Sequence, residues 1–226
     1  MLSVSADMQP SPATLRVPRQ SRSLRTRAAI VSAAWAEFER RGYAETTAKS
    51  IAEAARVGTG SFYHYFPDKD AVLREIALER AEYWREQSES LAAPFPRGGG
   101  ARGIVARGRA RLARLVDLSI AYHRKDRGLH AVIAERRLSD DSLDRILSAS
   151  ERDAVARTAA SLAHVGYDGD AEAAAIMMFS LLEGAVHGHV LGQAFVSDAR
   201  FSEGLVEALI RIAIPPSQLT MGERAR

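Results

Sequence analysis

The sequence predicts an all-α fold, and three observations carry that prediction. Apolar residues recur at three- and four-residue spacing through most of the chain. Stretches that alternate apolar and polar residues between turn signals, the mark of strands, are missing. Alanine is abundant, while aromatic residues make up only 7% of the 226 positions. Pro and Gly clusters then divide the chain into about nine helical stretches. The expected architecture is a three-helix N-terminal unit followed by a helical bundle.

Residues 1–21 are rich in Ser, Pro and Arg, show no apolar period, and are expected to form a flexible basic arm. From about Ser23 to Arg41, the residues Ile30, Ala33, Ala34 and Phe38 share one helical face, and Gly42 supplies a C-terminal cap. A second, short helix opens at Thr46-Thr47, with Thr47 as N-cap and Ile51, Ala52 and Ala55 inward. Arg56-Val57-Gly58 make a tight turn. A third helix runs from Thr59 to Phe66 and is stopped by Pro67. Asp68 caps a fourth, reaching about Leu91, with Val72, Leu73, Ile76, Ala77, Tyr83 and Trp84 as its apolar stripe. Pro94, Pro96 and Gly98-Gly99-Gly100 break the chain into a loop. Further helices are expected at about 101–124, 127–137, 141–164, 169–194 and 200–213. Asp140, Asp141 and Asp144 read as a helix start, where the dipole favours carboxylates. The division is thus arm 1–21, helix-turn-helix unit 22–69, bundle 70–214 and flexible tail 215–226.

Composition excludes several chemistries. Without cysteine the chain has no disulfide, no Cys-ligated metal and no thiol nucleophile. No apolar run is read as reaching the roughly 18 to 20 residues of a membrane span. The first residues lack the apolar core of a secretory signal, so a cytoplasmic location is expected. The net charge of +3 hides a partition. Residues 1–69 hold ten basic and six acidic side chains, and residues 70–226 hold 21 and 22. Arg16, Arg19, Arg22, Arg25 and Arg27 follow one another with no acid between them. That asymmetry points to a polyanion-binding end and a neutral remainder. A solvated basic tail is the competing reading.

The informative segment is Thr46 to Lys69, TTAKSIAEAARVGTGSFYHYFPDK. Two short helices joined by a three-residue turn form a helix-turn-helix. Ile51, Ala55, Val57, Phe62 and Phe66 hold it against the first helix, and Ala52 is small enough for close approach. Gly58 leaves the third helix's N-terminal amides uncovered, a favourable seat for phosphate. Thr59, Ser61, Tyr63, His64 and Tyr65 face outward, hydroxyls followed by rings. Such groups contact base edges and phosphates. Lys49 and Lys69, two of only three lysines in the chain, flank the segment.

This segment, with TRAAIVSAAWAEFERRGYAETT before it, closely resembles the N-terminal signature of TetR-family transcriptional regulators. The resemblance is strong over about residues 22–75 and beyond them extends only to architecture. It implies phosphate contacts from Thr47, Lys49, Tyr63, Tyr65 and Lys69. It implies base-edge or mixed contacts from Thr59, Gly60 and Ser61, and arms that reach a minor groove in some members. Arg56 departs from the family pattern, which has Gly there, so the turn is expected to rely on Gly58. A ring packed inside the domain is the competing reading for Tyr63.

The stretch AEAAAIMMFSLLEGAVHGHVLGQAF is apolar nearly all round, so its helix must be covered on several sides. Ile176, Leu181, Ala185, Gly188 and Leu191, with Phe201, Leu205 and Leu209 of the last helix, are expected to pair with their copies across a two-fold axis. The resemblance implies the same arrangement, and with it a roughly palindromic DNA operator. A monomer that buries these faces under the middle helices is the alternative. The resemblance also implies a small-molecule effector in the bundle. Trp84, Tyr122, His123, His130, Met177, Met178, Phe179 and Glu183 are the candidate lining residues, and their mixture suggests a mostly apolar ligand. No metal site is expected. His187 and His189 point to different helix faces, and His123 and His130 lie seven apart across a break. P-loop, GxSxG and HExxH motifs are missing, so no cofactor and no enzymatic activity are expected. The function expected is that of a repressor released by its effector. An activator, or a DNA-binding protein without an effector, is the alternative.

Overall fold

In the computed structural model, residues 19–92 and 100–213 are described. Among them are nine helices and no strand: α1 (Arg19–Glu45), α2 (Ala48–Ala54), α3 (Thr59–Tyr65), α4 (Lys69–Ala92), α5 (Gly100–Lys125), α6 (Arg127–Arg137), α7 (Asp141–His164), α8 (Ala171–Val190) and α9 (Asp198–Ala213). The expected loop at 94–99, the tail and nearly all of the arm lie outside the described residues. The few arm positions inside them, from Arg19, belong to α1. Arg22, Arg25 and Arg27 are therefore helical, and Arg27 pairs with Glu75 of α4.

The caps explain why the helices begin and end where they do. At Gly42 the backbone turns left-handed at φ 73°, which breaks α1 near its end as the sequence suggests. Asp140 caps α7 by accepting from the amides of Ser142 and Leu143 at 2.9 and 3.0 Å. Asp126 stands at the N-cap of α6 without capping it. Its carboxylate instead accepts from Trp35 Nε1 of α1 at 3.1 Å and from Arg80 of α4 at 3.2 Å. That side chain ties three helices together.

The packing forms two cores. One gathers Ile30, Phe38, Ile51, Phe62, Phe66, Leu73 and Ile76 of α1–α4 with Leu129, Val132 and Ile133 of α6 and Leu143 of α7. Helix α6 thus lies against α1 so closely that a Cβ on Gly128 would collide with the Glu39 carbonyl oxygen. The other core joins α5, α8 and α9 through Val116, Ala174, Met178, Leu182, Val186, Leu205 and Leu209. Two expectations change here. Leu205 and Leu209 are buried inside this core and do not face a partner, because α9 turns its apolar face toward α5 and α8. Helix α8 is also long and apolar enough by composition to cross a membrane, contrary to the sequence reading. Here it is the central helix of the bundle. Its outward side carries Ile176 and Met177, 49% and 53% exposed, together with exposed Gly184 and Gly188.

Candidate nucleic-acid interface and bundle cavity

The helix-turn-helix is held from below and open above. Phe62 and Phe66 are buried and 6.0 Å apart by ring centroid, which anchors α3 to the first core. Thr59, Gly60, Ser61, Tyr63 and His64 are all exposed and form one continuous face. Tyr63 is 55% exposed, with its ring edge-on to Phe62 at 5.4 Å, so the ring is supported but not enclosed. A Cβ on Gly60 would meet nothing within 4 Å. Nothing inside the domain requires glycine at that position.

Helix α2 begins with a reciprocal cap. The Thr47 hydroxyl accepts from the Ser50 amide at 3.0 Å, and the Thr47 amide donates to the Ser50 hydroxyl at 3.1 Å. Thr47 and Lys49 are exposed on the same side, with Lys49 3.9 Å from Glu53. Two residues sit differently from their expected roles. The Lys69 ammonium donates to the carbonyls of Tyr43 and Thr46 at 2.7 and 2.8 Å and lies 3.9 Å from the Tyr43 ring centroid. Two of its three protons are thereby used to close the corner between α1 and α2, not to reach a phosphate. Tyr65 is half-buried, its hydroxyl 3.1 Å from Ser23 Oγ. The turn differs as well. Arg56 itself takes the left-handed conformation at φ 57°, while Gly58 is extended.

A cavity of about 220 Å³ lies in the bundle between α4, α5, α6, α7 and α8. Six expected residues line it: Trp84, Tyr122, His123, His130, Phe179 and Glu183. Met177 and Met178 do not, the first being exposed and the second buried in the second core. The walls include Ala77, Ala81, Ile133, Leu147 and Ala154, so an apolar body fits. One end is ionisable. There His130 Nε2 meets His187 Nε2 at 2.5 Å, and Arg80, only 4% exposed, donates to His130 Nδ1 at 3.2 Å. Burial, the neighbouring His123 and His187, and Arg80 push His130 down to about 2, and burial also lowers His187. Both rings are therefore neutral near pH 7. Burial pushes the Tyr122 phenol up to about 12, and its hydroxyl donates to the Arg80 carbonyl at 3.3 Å. The guanidinium of Arg137 is held by Glu151 and Asp144.

Residues 30–76 match the family model for bacterial regulatory proteins of the tetR family. The HTH-type transcriptional regulator HbdR of Aromatoleum sp. (strain CIB) is 50% identical over 44 residues. A putative TetR-family regulator from Mesorhizobium loti superposes with TM-score 0.66 at 23% identity, covering 84% of this chain and 96% of that one. Residues 30–76 are a TetR-family helix-turn-helix domain.

The HbdR match spans 20% of this chain and 19% of that relative. The bundle shares fold only. A putative regulator from Saccharomonospora viridis, solved in complex with choline, superposes with TM-score 0.65 at 19% identity, over 80% of this chain and 93% of that one. Sequence reasoning missed Arg80, Arg137, Glu151 and His187 as cavity residues. A signal existed for His187. It follows Glu183 by four positions, the spacing that puts two side chains on one helical face. No spacing rule could find the others, because each comes from a different helix, α4, α6 or α7.

Proposed function

We propose that this protein is a homodimeric, DNA-binding transcriptional repressor, released from a roughly palindromic operator by a small molecule held in the bundle cavity. The observation that carries the reading is the exposed face of α3, with Thr59, Gly60, Ser61, Tyr63 and His64 set on a buried Phe62–Phe66 anchor. Thr47 and Lys49 contact the flanking phosphates, joined by Tyr63. Tyr65 and Lys69 hold the unit's shape. The outward face of α8, with Ile176, Met177, Gly184 and Gly188, pairs with its copy. Two α3 helices are then offered to successive major grooves. The effector has an apolar body and one polar or ionisable end, matching the two ends of the cavity. The choline complex of the relative from Saccharomonospora viridis supports a small-molecule role for this fold.

Selection of bound fragments from genomic DNA tests the reading. A shared inverted repeat is expected, bound by a dimer at micromolar concentration and more weakly as salt rises. Replacing Tyr63 by Ala lowers affinity about tenfold on every sequence, a loss of about 1.4 kcal/mol. Replacing Thr59 or Ser61 changes base preference. Unchanged affinity in Tyr63→Ala refutes the placement of α3, and a monomer refutes the dimer.

A further inference from the structure

The ionisable end of the cavity carries a second role, independent of DNA. His123, His130 and His187 come from α5, α6 and α8, and each offers a ring nitrogen within 4.8 Å of the other two. We propose that these three histidines, with Glu183, bind a divalent transition cation of the zinc class.

His123 is the strongest argument. It is 1% exposed, and its Nδ1–H donates to the Ser119 carbonyl at 2.8 Å. That bond fixes the tautomer and leaves a lone pair on Nε2. This Nε2 is buried and has no hydrogen-bond partner among the described residues. A buried polar atom without a partner costs about 1–3 kcal/mol, which a bound cation would offset. A backbone carbonyl behind the ring is also the usual way a ligating histidine is oriented.

Glu183 completes the set. One of its carboxylate oxygens stands 3.5 Å from His123 Nε2 and 3.6 Å from His187 Nε2. With bonds of about 2.1 Å, a tetrahedral zinc site has edges of about 3.4 Å. Those two edges already match; the 2.5 Å contact between His130 and His187 has to spread, and the three ring nitrogens, within 4.8 Å of one another, have to settle around the ion. Because Arg80 donates to Nδ1 of His130, the proton of that ring lies on Nε2 and points at His187. A cation takes that proton's place, the proton moves to Nδ1, and Arg80 gives up its bond to that nitrogen and keeps its partner Asp126. No net proton is released, because the ring stays neutral.

The surrounding charges allow it. Arg80 is compensated by Asp126, and Arg137 by Glu151 and Asp144. Three imidazoles and one carboxylate suit Zn²⁺, Co²⁺, Ni²⁺ or Cu²⁺, whereas Mg²⁺ and Ca²⁺ take oxygen ligands.

The test uses the full-length, tag-free chain, stripped with chelator and titrated with Co²⁺ and then Zn²⁺ in the absence of DNA. One Co²⁺ per chain, with visible absorption of tetrahedral type displaced by Zn²⁺, is expected. His187→Gln and His123→Asn each weaken binding about 100-fold or more, and His164→Gln, on exposed α7 surface, leaves it unchanged. His187 is partly exposed, so its variant tests the site even if the His123 variant fails to fold. Absence of saturable binding, or His187→Gln binding as tightly as the parent, overturns the proposal. Neither result bears on whether α3 binds DNA.

Discussion

Gly60 separates the demands of folding from those of binding. It lies near the start of α3, and a side chain there meets nothing inside the protein. Alanine forms helix better than glycine by about 1 kcal/mol. Gly60→Ala should therefore leave the melting temperature unchanged or slightly higher, and weaken duplex binding because a methyl group holds α3 off the groove. A variant that melts lower shows that the glycine serves the fold after all. Lys69 teaches the opposite lesson. Its position after α3 matches a phosphate ligand in the sequence, yet its ammonium closes the α1–α2 corner. Spacing tells which residues lie near one another. It does not tell which of two nearby acceptors, a carbonyl or a phosphate, takes the donor.

Helices were legible where their ends carry chemistry. Residues 127–137 and 141–164 are helical as predicted, and the second begins just after Asp140, whose carboxylate caps it. The end of α8 fell four residues short of its expected limit, since an apolar run after the last turn looks helical whether or not it is. Which neighbour covers an apolar face was not legible. Leu205 and Leu209 have the right period for an interface, and only packing shows that α5 and α8 cover them. The same limit hid the three histidines, because each pair taken alone has poor spacing. The contact between α6 and α1 was equally invisible, and it has a measurable consequence. A methyl group on Gly128 collides with the backbone of Glu39, which has no rotamer to yield. Gly128→Ala should destabilise the chain by about 1–3 kcal/mol, measured by denaturant unfolding. An unchanged midpoint contradicts the close contact between the two helices.

The whole protein should be acid-sensitive in a defined window. His130 takes up a proton near pH 6.5 when unfolded but resists protonation down to about 2 when folded. The unfolded state then binds more protons between those values, so stability falls as pH falls. His187 acts with the same sign. The carboxylates with lowered values, such as Asp140 and Glu183, contribute stability that is lost only below their ordinary range near 4. A decline of about 1 kcal/mol per pH unit between pH 6 and 5 thus belongs to the histidines. Thermal melts should show it, and His130→Asn should flatten it. A level melting temperature across that interval rejects the assignment.

The core shared by α1–α4, α6 and α7 also bears on how such a protein can be recombined. A chimera joined at residue 69 would carry Phe38 and Phe62 away from Leu73, Leu129, Val132, Ile133 and Leu143. Both halves would then expose the surfaces that had enclosed each other. A workable exchange of operator specificity moves only the outward residues of α2 and α3. Specificity can drift there one side chain at a time, while the remainder of the head is inherited together with its bundle.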